Sequence, residues 1–308
     1  MGFGLTVLFK TAVMFILIVV GIICWKTKLI NKASIDGLIN IVTKFVIPAQ
    51  IIMAFQMPRE ESIMEGIGYS FLFSAISFAV TIAVVYLVIR KKKNPNFRVD
   101  RLSAIYSNCG FFGIPVIQGL FGAEGVAYLT AFIAVFNILL WTHGLSLISG
   151  EGISKSALKK IISTPTVFAT IIAMVMFFTG FTLPGLAAEP LDMLSALQTP
   201  LPMIIAGATI AQAGLLSALK KPTLWLTSAM RLIVLPLITF GVLIAIFGTA
   251  APMPLNIVFL AAGCPVGTMC TLLAIDYRQD GLYASQLFAV TTLLACITLP
   301  LLGMMLIV

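Results

Sequence analysis

The sequence predicts an all-α integral membrane protein: ten spanning helices in two inverted five-helix repeats, with the fourth and ninth spans broken and crossed. Three observations carry this. The chain of 308 residues is 60% hydrophobic and 10% charged, with a mean hydropathy of +1.11. No soluble domain of this length is that apolar. Apolar runs of about 20 residues, the length that crosses a bilayer, recur from end to end. Two of those runs are interrupted by glycine and proline, at Asn108-Cys109-Gly110-Phe111-Phe112-Gly113-Ile114-Pro115 and at Gly263-Cys264-Pro265-Val266-Gly267-Thr268, and Gly113 and Gly267 lie 154 residues apart, half the chain.

The first run, about 5–25, is long for a signal peptide and has no small-residue cleavage site, so it reads as span 1. Span 2, about 35–56, carries Pro48, and span 3 covers about 66–90. Span 4, about 102–121, holds the first break, and span 5 follows over about 125–148. Span 6 covers about 161–181, and span 7, about 191–213, carries Pro200 and Pro202. Span 8, about 223–247, carries Pro236; span 9, about 254–275, holds the second break; span 10, about 284–307, carries Pro300. No stretch remains for a sizeable soluble domain.

The connecting loops give the orientation. Loops after odd-numbered spans hold 15 basic residues: Lys26, Lys28, Lys32, Arg90, Lys91, Lys92, Lys93, Arg98, Arg101, Lys155, Lys159, Lys160, Lys220, Lys221 and Arg278. The other side has Arg59 with Glu60, Glu61, Glu65, Glu124, Glu189 and Asp192. The excess of Lys and Arg marks the cytoplasmic side of a plasma or inner membrane, so both termini are expected outside. The net charge of +8 then reports topology, not nucleic-acid binding. Five spans per half is odd, so the second half enters the membrane upside down. The repeats are expected at 1–154 and 155–308. The same offset places Pro48 on Pro202 and the break of span 4 on that of span 9.

Backbone opened at membrane depth is tolerated only where protein buries it or where it lines a wet cavity. A half-helix that starts there, near Pro115 or Gly267, aims free N–H groups and a positive dipole end inward, which suits a carboxylate. A half-helix that stops there, near Cys109 or Gly263, aims carbonyls inward, which suits a cation. The expected substrate-binding residues are therefore Asn108, Gly110, Gly113, Pro115, Gly263, Pro265, Gly267 and Thr268, with Gln50 and Asn137 within reach of the same cavity. Arg231, deep in span 8, is a candidate for charge balance or coupling; the competing reading is that it caps the broken-helix carbonyls. Lys10 and Lys44 read as snorkelling side chains. His143 reads as structural ahead of a proton relay. Cys24, Cys109, Cys264, Cys270 and Cys296 lie in apolar runs and read as small core residues. No metal or cofactor is expected. With no Asp or Glu well inside a span, a coupling ion, proton or sodium, has no evident carboxylate carrier. A single histidine and the absence of intramembrane acids argue against an enzyme.

The string Ser107-Asn108-Cys109-Gly110-Phe111-Phe112-Gly113-Ile114-Pro115, with Leu120-Phe121-Gly122 and Gly125, resembles the fourth-span motif of the auxin efflux carrier family. Asn137-Ile138-Leu139-Leu140-Trp141-Thr142-His143-Gly144 resembles its fifth-span motif, and Arg231-Leu232-Ile233-Val234-Leu235-Pro236 its eighth-span pattern. The resemblance implies an NhaA-like, bile-acid-symporter-like fold, with a scaffold of spans 1, 2, 6 and 7 and a moving unit of spans 3–5 and 8–10. It also implies a homodimer, an elevator-type motion and small organic anions as substrates, auxin-like compounds or mono- and dicarboxylates. The short loop after span 5 resembles the compact, bacterial-type members, and the acidic third-span residue of plant members is absent. A sodium-coupled organic-anion symporter of the bile-acid type is the alternative expectation.

Overall fold

The computed structural model describes residues 3–58, 60–91, 94–151 and 164–306. Arg59, Lys92, Lys93, Lys155, Lys159, Lys160, the start of span 6 and the expected boundary between the repeats lie outside the described residues. The described residues are helical apart from turns, breaks and one isolated antiparallel bridge between Ser107 and Val266.

The first half holds α1 (Phe3–Lys26), α2 (Lys32–Ile41), α3 (Ile47–Ala54), α4 (Glu61–Val88), α5 (Phe97–Ile105), α6 (Ile114–Leu139) and α7 (Leu145–Ser149). The second holds α8 (Pro165–Thr179), α9 (Gly185–Ser195), α10 (Pro200–Gln212), α11 (Leu215–Ala218), α12 (Pro222–Ala229), α13 (Leu235–Phe247), α14 (Pro252–Gly263), α15 (Thr268–Asp276) and α16 (Gly281–Gly303). Seven helical runs are long and apolar enough to cross a membrane, and α8 and α14 are shorter apolar helices. One of the seven, Cys109–Ser149, has 41 residues. Straight, it would run about 60 Å, twice a bilayer core. Gly122 interrupts it with φ +64° and ψ −153°, a conformation open essentially to glycine alone.

Three of the prolines inside long apolar runs follow one rule, while Pro202 and Pro300 sit in α-helix without it. π-turns cover Val42–Val46, Cys109–Gly113 and Met230–Val234, and each ends two residues before a proline: Pro48, Pro115 and Pro236. A proline ring in an α-helix collides with the carbonyl four residues back and removes one N–H. Widening the preceding turn takes up both defects, because the N–H of Ile47, Ile114 and Leu235 reaches back five residues, to Val42, Cys109 and Met230. A fourth π-turn, Leu140–Gly144, has no proline.

The halves are packed through small residues and tied at both ends. α1 lies along α10 at backbone contact: a Cβ on Gly21 would strike the Ile204 carbonyl, and one on Gly207 the Ile18 carbonyl. At the basic end, Asn96 Nδ2 donates to Asp280 at 3.3 Å. At the other end, the Leu183 N–H meets Gln56 Oε1 at 2.7 Å. Lipid-sized apolar exposure remains on the outer helices, for example at Phe9, Ile16, Leu87 and Phe168, as a membrane surface requires.

Candidate functional site

Both sequence breaks are present, and they meet. α5 ends at Ile105 and helix resumes at Cys109; α14 ends at Gly263 and helix resumes at Thr268. Between them the strands pair antiparallel. The Asn108 N–H donates to the Pro265 carbonyl at 2.7 Å, and the Gly267 N–H to the Tyr106 carbonyl at 3.0 Å. The Val266 N–H finds Thr291 Oγ1 on α16 at 3.1 Å. The crossing thus satisfies much of its own exposed backbone, as a low-dielectric interior demands. Glycine is needed at 267 because a Cβ there would lie 3.1 Å from the Ser107 oxygen and 3.3 Å from the Tyr106 oxygen.

The two C-terminal half-helix ends are occupied by Arg231. It is 2% exposed. Its Nη1 donates to the carbonyls of Ala104 at 2.8 Å and Ile105 at 3.0 Å, and its Nη2 to that of Ala262. One guanidinium therefore caps the last turns of both α5 and α14, where dipole ends are negative.

The N-terminal half-helix ends face a cavity of about 520 Å³. Asn108, Gly110, Gly267, Thr268 and Asn137 line it, as do Ser107, Thr43, Lys44, Trp141, Phe136, Met269 and Thr166. The N–H groups of Phe112 and Gly113 both return to the Asn108 carbonyl, so the earlier N–H groups of that half-helix lie outside the helical ladder. The Asn108 carboxamide is 94% buried by residue, lines the cavity and has no hydrogen-bond partner among the described residues. Asn137 is anchored by Nδ2 to the Ile133 carbonyl at 2.8 Å and to Thr166 at 3.4 Å. A Cβ on Gly110 would meet only Ile47, at 3.8 Å, so this glycine opens onto the cavity.

The remaining expected site residues lie elsewhere. Gly113 packs beside Cys264, and Gly263 packs on Leu302 of α16. Pro265 contributes its carbonyl to the crossing. Pro115 and Gln50 line a second cavity, also about 520 Å³, with Lys10, Gln118, Asp192 and Ser195. Gln198 stands between the two cavities. Its Nε2 donates to the Gly110 carbonyl at 2.9 Å, and its neighbours Ala196 and Thr199 line the second cavity.

A family model described as a membrane transport protein matches residues 6–303. The chain belongs to this family, that of the auxin efflux carriers. An uncharacterized transporter of Methanocaldococcus jannaschii is 31% identical over 62% of this chain and 63% of its own length. An uncharacterized transporter of Methanothermobacter thermautotrophicus is 28% identical over 65% of each. The chain thus spans somewhat under two thirds of the length of the curated relatives it matches. The family's members are membrane transporters, and the apolar helices agree with a multi-pass membrane protein.

Sequence reading missed three features of this family member. Lys44 reads in sequence as a snorkelling side chain, yet it lies at the cavity wall with no ion-pair partner among the described residues. The signal was its place four residues before Pro48, in the turn that the proline distorts. Gln198 lies 154 residues after Lys44, an offset that marks it in hindsight. Asp100, read as loop, is wholly buried. It accepts from Asn94 Nδ2 at 2.5 Å, Thr227 Oγ1 at 2.7 Å and Tyr283 Oη at 2.7 Å. Burial raises its carboxyl above the usual carboxylate range against the pull of those three bonds.

Proposed function

We propose that the protein is a secondary active carrier of small organic anions and not an enzyme. The observation that carries this reading is the convergence of two half-helix N-termini, Thr268, and Asn108 and Lys44, both without partners among the described residues, on one cavity. Positive dipole ends and an ammonium attract a carboxylate. The rest of the wall, with Trp141, Phe136, Met269, Leu272 and Ile47, favours an apolar body behind it. A monocarboxylate fits this distribution better than a dicarboxylate, because one end of the cavity carries the charge.

The carrier has ten crossings in this reading: the seven long runs, with Cys109–Ser149 counted twice across Gly122, and the columns of α8 and α14–α15. The repeats are 1–154 and 155–308, inverted. The scaffold comprises spans 1, 2, 6 and 7. The moving unit, spans 3–5 and 8–10, contains the crossing and its Arg231 cap. An elevator-type displacement of that unit against the scaffold would carry the Asn108–Thr268 site from the Lys44 cavity towards the Lys10 cavity, past Gln198. A homodimer in the plasma membrane with both termini outside completes the expectation. The test is uptake in proteoliposomes of radiolabelled mono- and dicarboxylates with purified protein. Saturable transport that Asn108→Ala abolishes is expected; transport unchanged in that variant removes the assigned site.

A further inference from the structure

His143 is the chain's one histidine, and it is bonded to the crossing. Its ring stands between two phenols on different helices. Nδ1 lies 2.9 Å from the hydroxyl of Tyr106, and Nε2 lies 3.1 Å from the hydroxyl of Tyr86 on α4. The Tyr106 hydroxyl is also 2.8 Å from the Leu139 carbonyl. A carbonyl only accepts, so the single hydroxyl proton of Tyr106 goes to Leu139, and its oxygen accepts from His143. Nδ1 therefore carries the ring proton. Nε2 of the neutral imidazole accepts from Tyr86. One tautomer satisfies all three bonds.

The chain of bonds ends at the first break. Tyr106 caps α5, is wholly buried, and receives the Gly267 N–H on its carbonyl. The proline-free π-turn Leu140–Gly144 lies beside its ring, and Gly144 leaves space for it: a Cβ there would sit 3.0 to 3.2 Å from ring atoms. In the other direction, the Tyr86 side chain is 40% exposed and carries the Arg101 guanidinium 4.0 Å from its ring centroid. Arg101 is itself fixed to the Ile89 carbonyl at 2.9 Å. The titratable and charged groups around His143 are thus Tyr86 from α4 and Arg101 and Tyr106 from the α5 segment. Cys270 of α15 touches the Tyr106 carbonyl beyond.

We propose that His143 is a positioning residue for transport, holding Tyr106 through Nδ1–H and reversing its bond to Tyr86 when Nε2 is protonated from the cytoplasmic side. The inference rests on the carrier reading above. Through Tyr106, the neutral ring fixes the carbonyl that pairs with the Gly267 N–H, and so the register of the crossing. An imidazolium has no acceptor for the Tyr86 hydroxyl. Its hydrogen must turn away while the phenol oxygen accepts from Nε2–H, and two cations, His143 and Arg101, then share one phenol. Acid therefore loosens the assembly from its exposed end.

Three variants test this. His143→Asn keeps a donor near the Nδ1 position and cannot titrate. His143→Leu keeps bulk and donates nothing. Tyr106→Phe removes the receiving hydroxyl. Hydrogen–deuterium exchange of the purified full chain at fixed pH reads the crossing directly. Exchange in segments 104–112 and 264–270 is expected to quicken about fivefold in His143→Leu and Tyr106→Phe, the scale of one hydrogen bond. It should stay near wild type in His143→Asn, and the Leu/Phe double variant should be no worse than either single one. Wild-type transport of the carboxylate panel should fall as the pH is lowered, and His143→Asn should lose that dependence. Exchange that ignores His143→Leu, or an acid response retained in His143→Asn, overturns the proposal. If exchange responds as expected but wild type moves no anion, the carrier reading falls and the His143 link stands.

Discussion

Nη1 of Arg231 lies 2.8 Å from the carbonyl oxygen of Ala104, the penultimate residue of α5, while Nη2 reaches Ala262, the penultimate residue of α14. A built-in cation therefore holds the place where broken-helix carbonyls would bind a coupling cation. The expected outcome is transport indifferent to a sodium gradient, measured in proteoliposomes with sodium replaced by potassium or choline. Replacing the cap should undo the crossing. Arg231→Gln leaves carbonyls of both α5 and α14 facing an apolar interior and is expected to cost about 3–5 kcal/mol of stability. Thermal unfolding in detergent would show the loss. A sodium-dependent wild type would contradict the assignment.

Asn108 and Lys44 should behave in the opposite way. Neither side chain has a hydrogen-bond or ion-pair partner among the described residues. Asn108→Ala and Lys44→Gln are therefore expected to leave stability within about 1 kcal/mol of wild type. Anion affinity should fall about tenfold in each, one lost charge-assisted bond. Ligand-induced thermal shifts across a carboxylate series would separate the two effects. A variant that loses stability and affinity together would mark a structural residue instead.

Gly267 tests the crossing sterically. Its absent Cβ would sit 3.1 Å from the Ser107 oxygen, and backbone on both sides leaves little room to give. Gly267→Val is expected to force the two breaks apart and abolish transport. Gly122→Ala probes a different cause, because its positive φ and not its surroundings excludes a side chain: nothing lies within 4 Å of the added Cβ. A cost of about 1–2 kcal/mol is expected there from backbone strain alone. Circular dichroism melts of the two variants provide the comparison.

The large features were legible because they are one-dimensional. Apolar run length marks a crossing helix, and a glycine–proline cluster marks a break wherever it falls. The pairing of the breaks was legible from the 154-residue offset. What escaped depends on three-dimensional neighbours. Arg231 reads the same in sequence whether it faces a ligand or two carbonyls; only the positions of Ala104 and Ala262 decide. Lys44 looks like a snorkelling residue until the Val42–Val46 π-turn turns that part of span 2 towards the crossing. Asp100 sits among Arg98 and Arg101 and reads as part of a solvated basic loop. Its burial comes from Thr227 and Tyr283, more than a hundred residues away.

Asp100 gives the last prediction. Asp100 and Ala104 are one turn apart on α5, and their partners Thr227 and Arg231 are one turn apart on the facing segment. The two contacts form successive rungs between the halves of the chain. Asp100→Ala would leave the Thr227, Tyr283 and Asn94 donors without an acceptor, at an expected cost of about 2–4 kcal/mol. The pH dependence has a definite sign. Burial raises the folded-state pKa of Asp100 above its ordinary value, so the folded protein binds that proton more tightly than the unfolded chain does. The stability this contributes is fully present below the ordinary carboxylate pKa of about 3.9 and is lost as pH rises through the folded value. Asp100→Asn removes the titration while keeping an oxygen for Thr227 and Tyr283. The stability of wild type relative to Asp100→Asn should therefore decrease as pH rises from about 4 towards neutrality. Chemical unfolding at several pH values measures this difference, and a wild-type advantage that grows with pH would show that the three hydrogen bonds, not burial, govern the carboxyl.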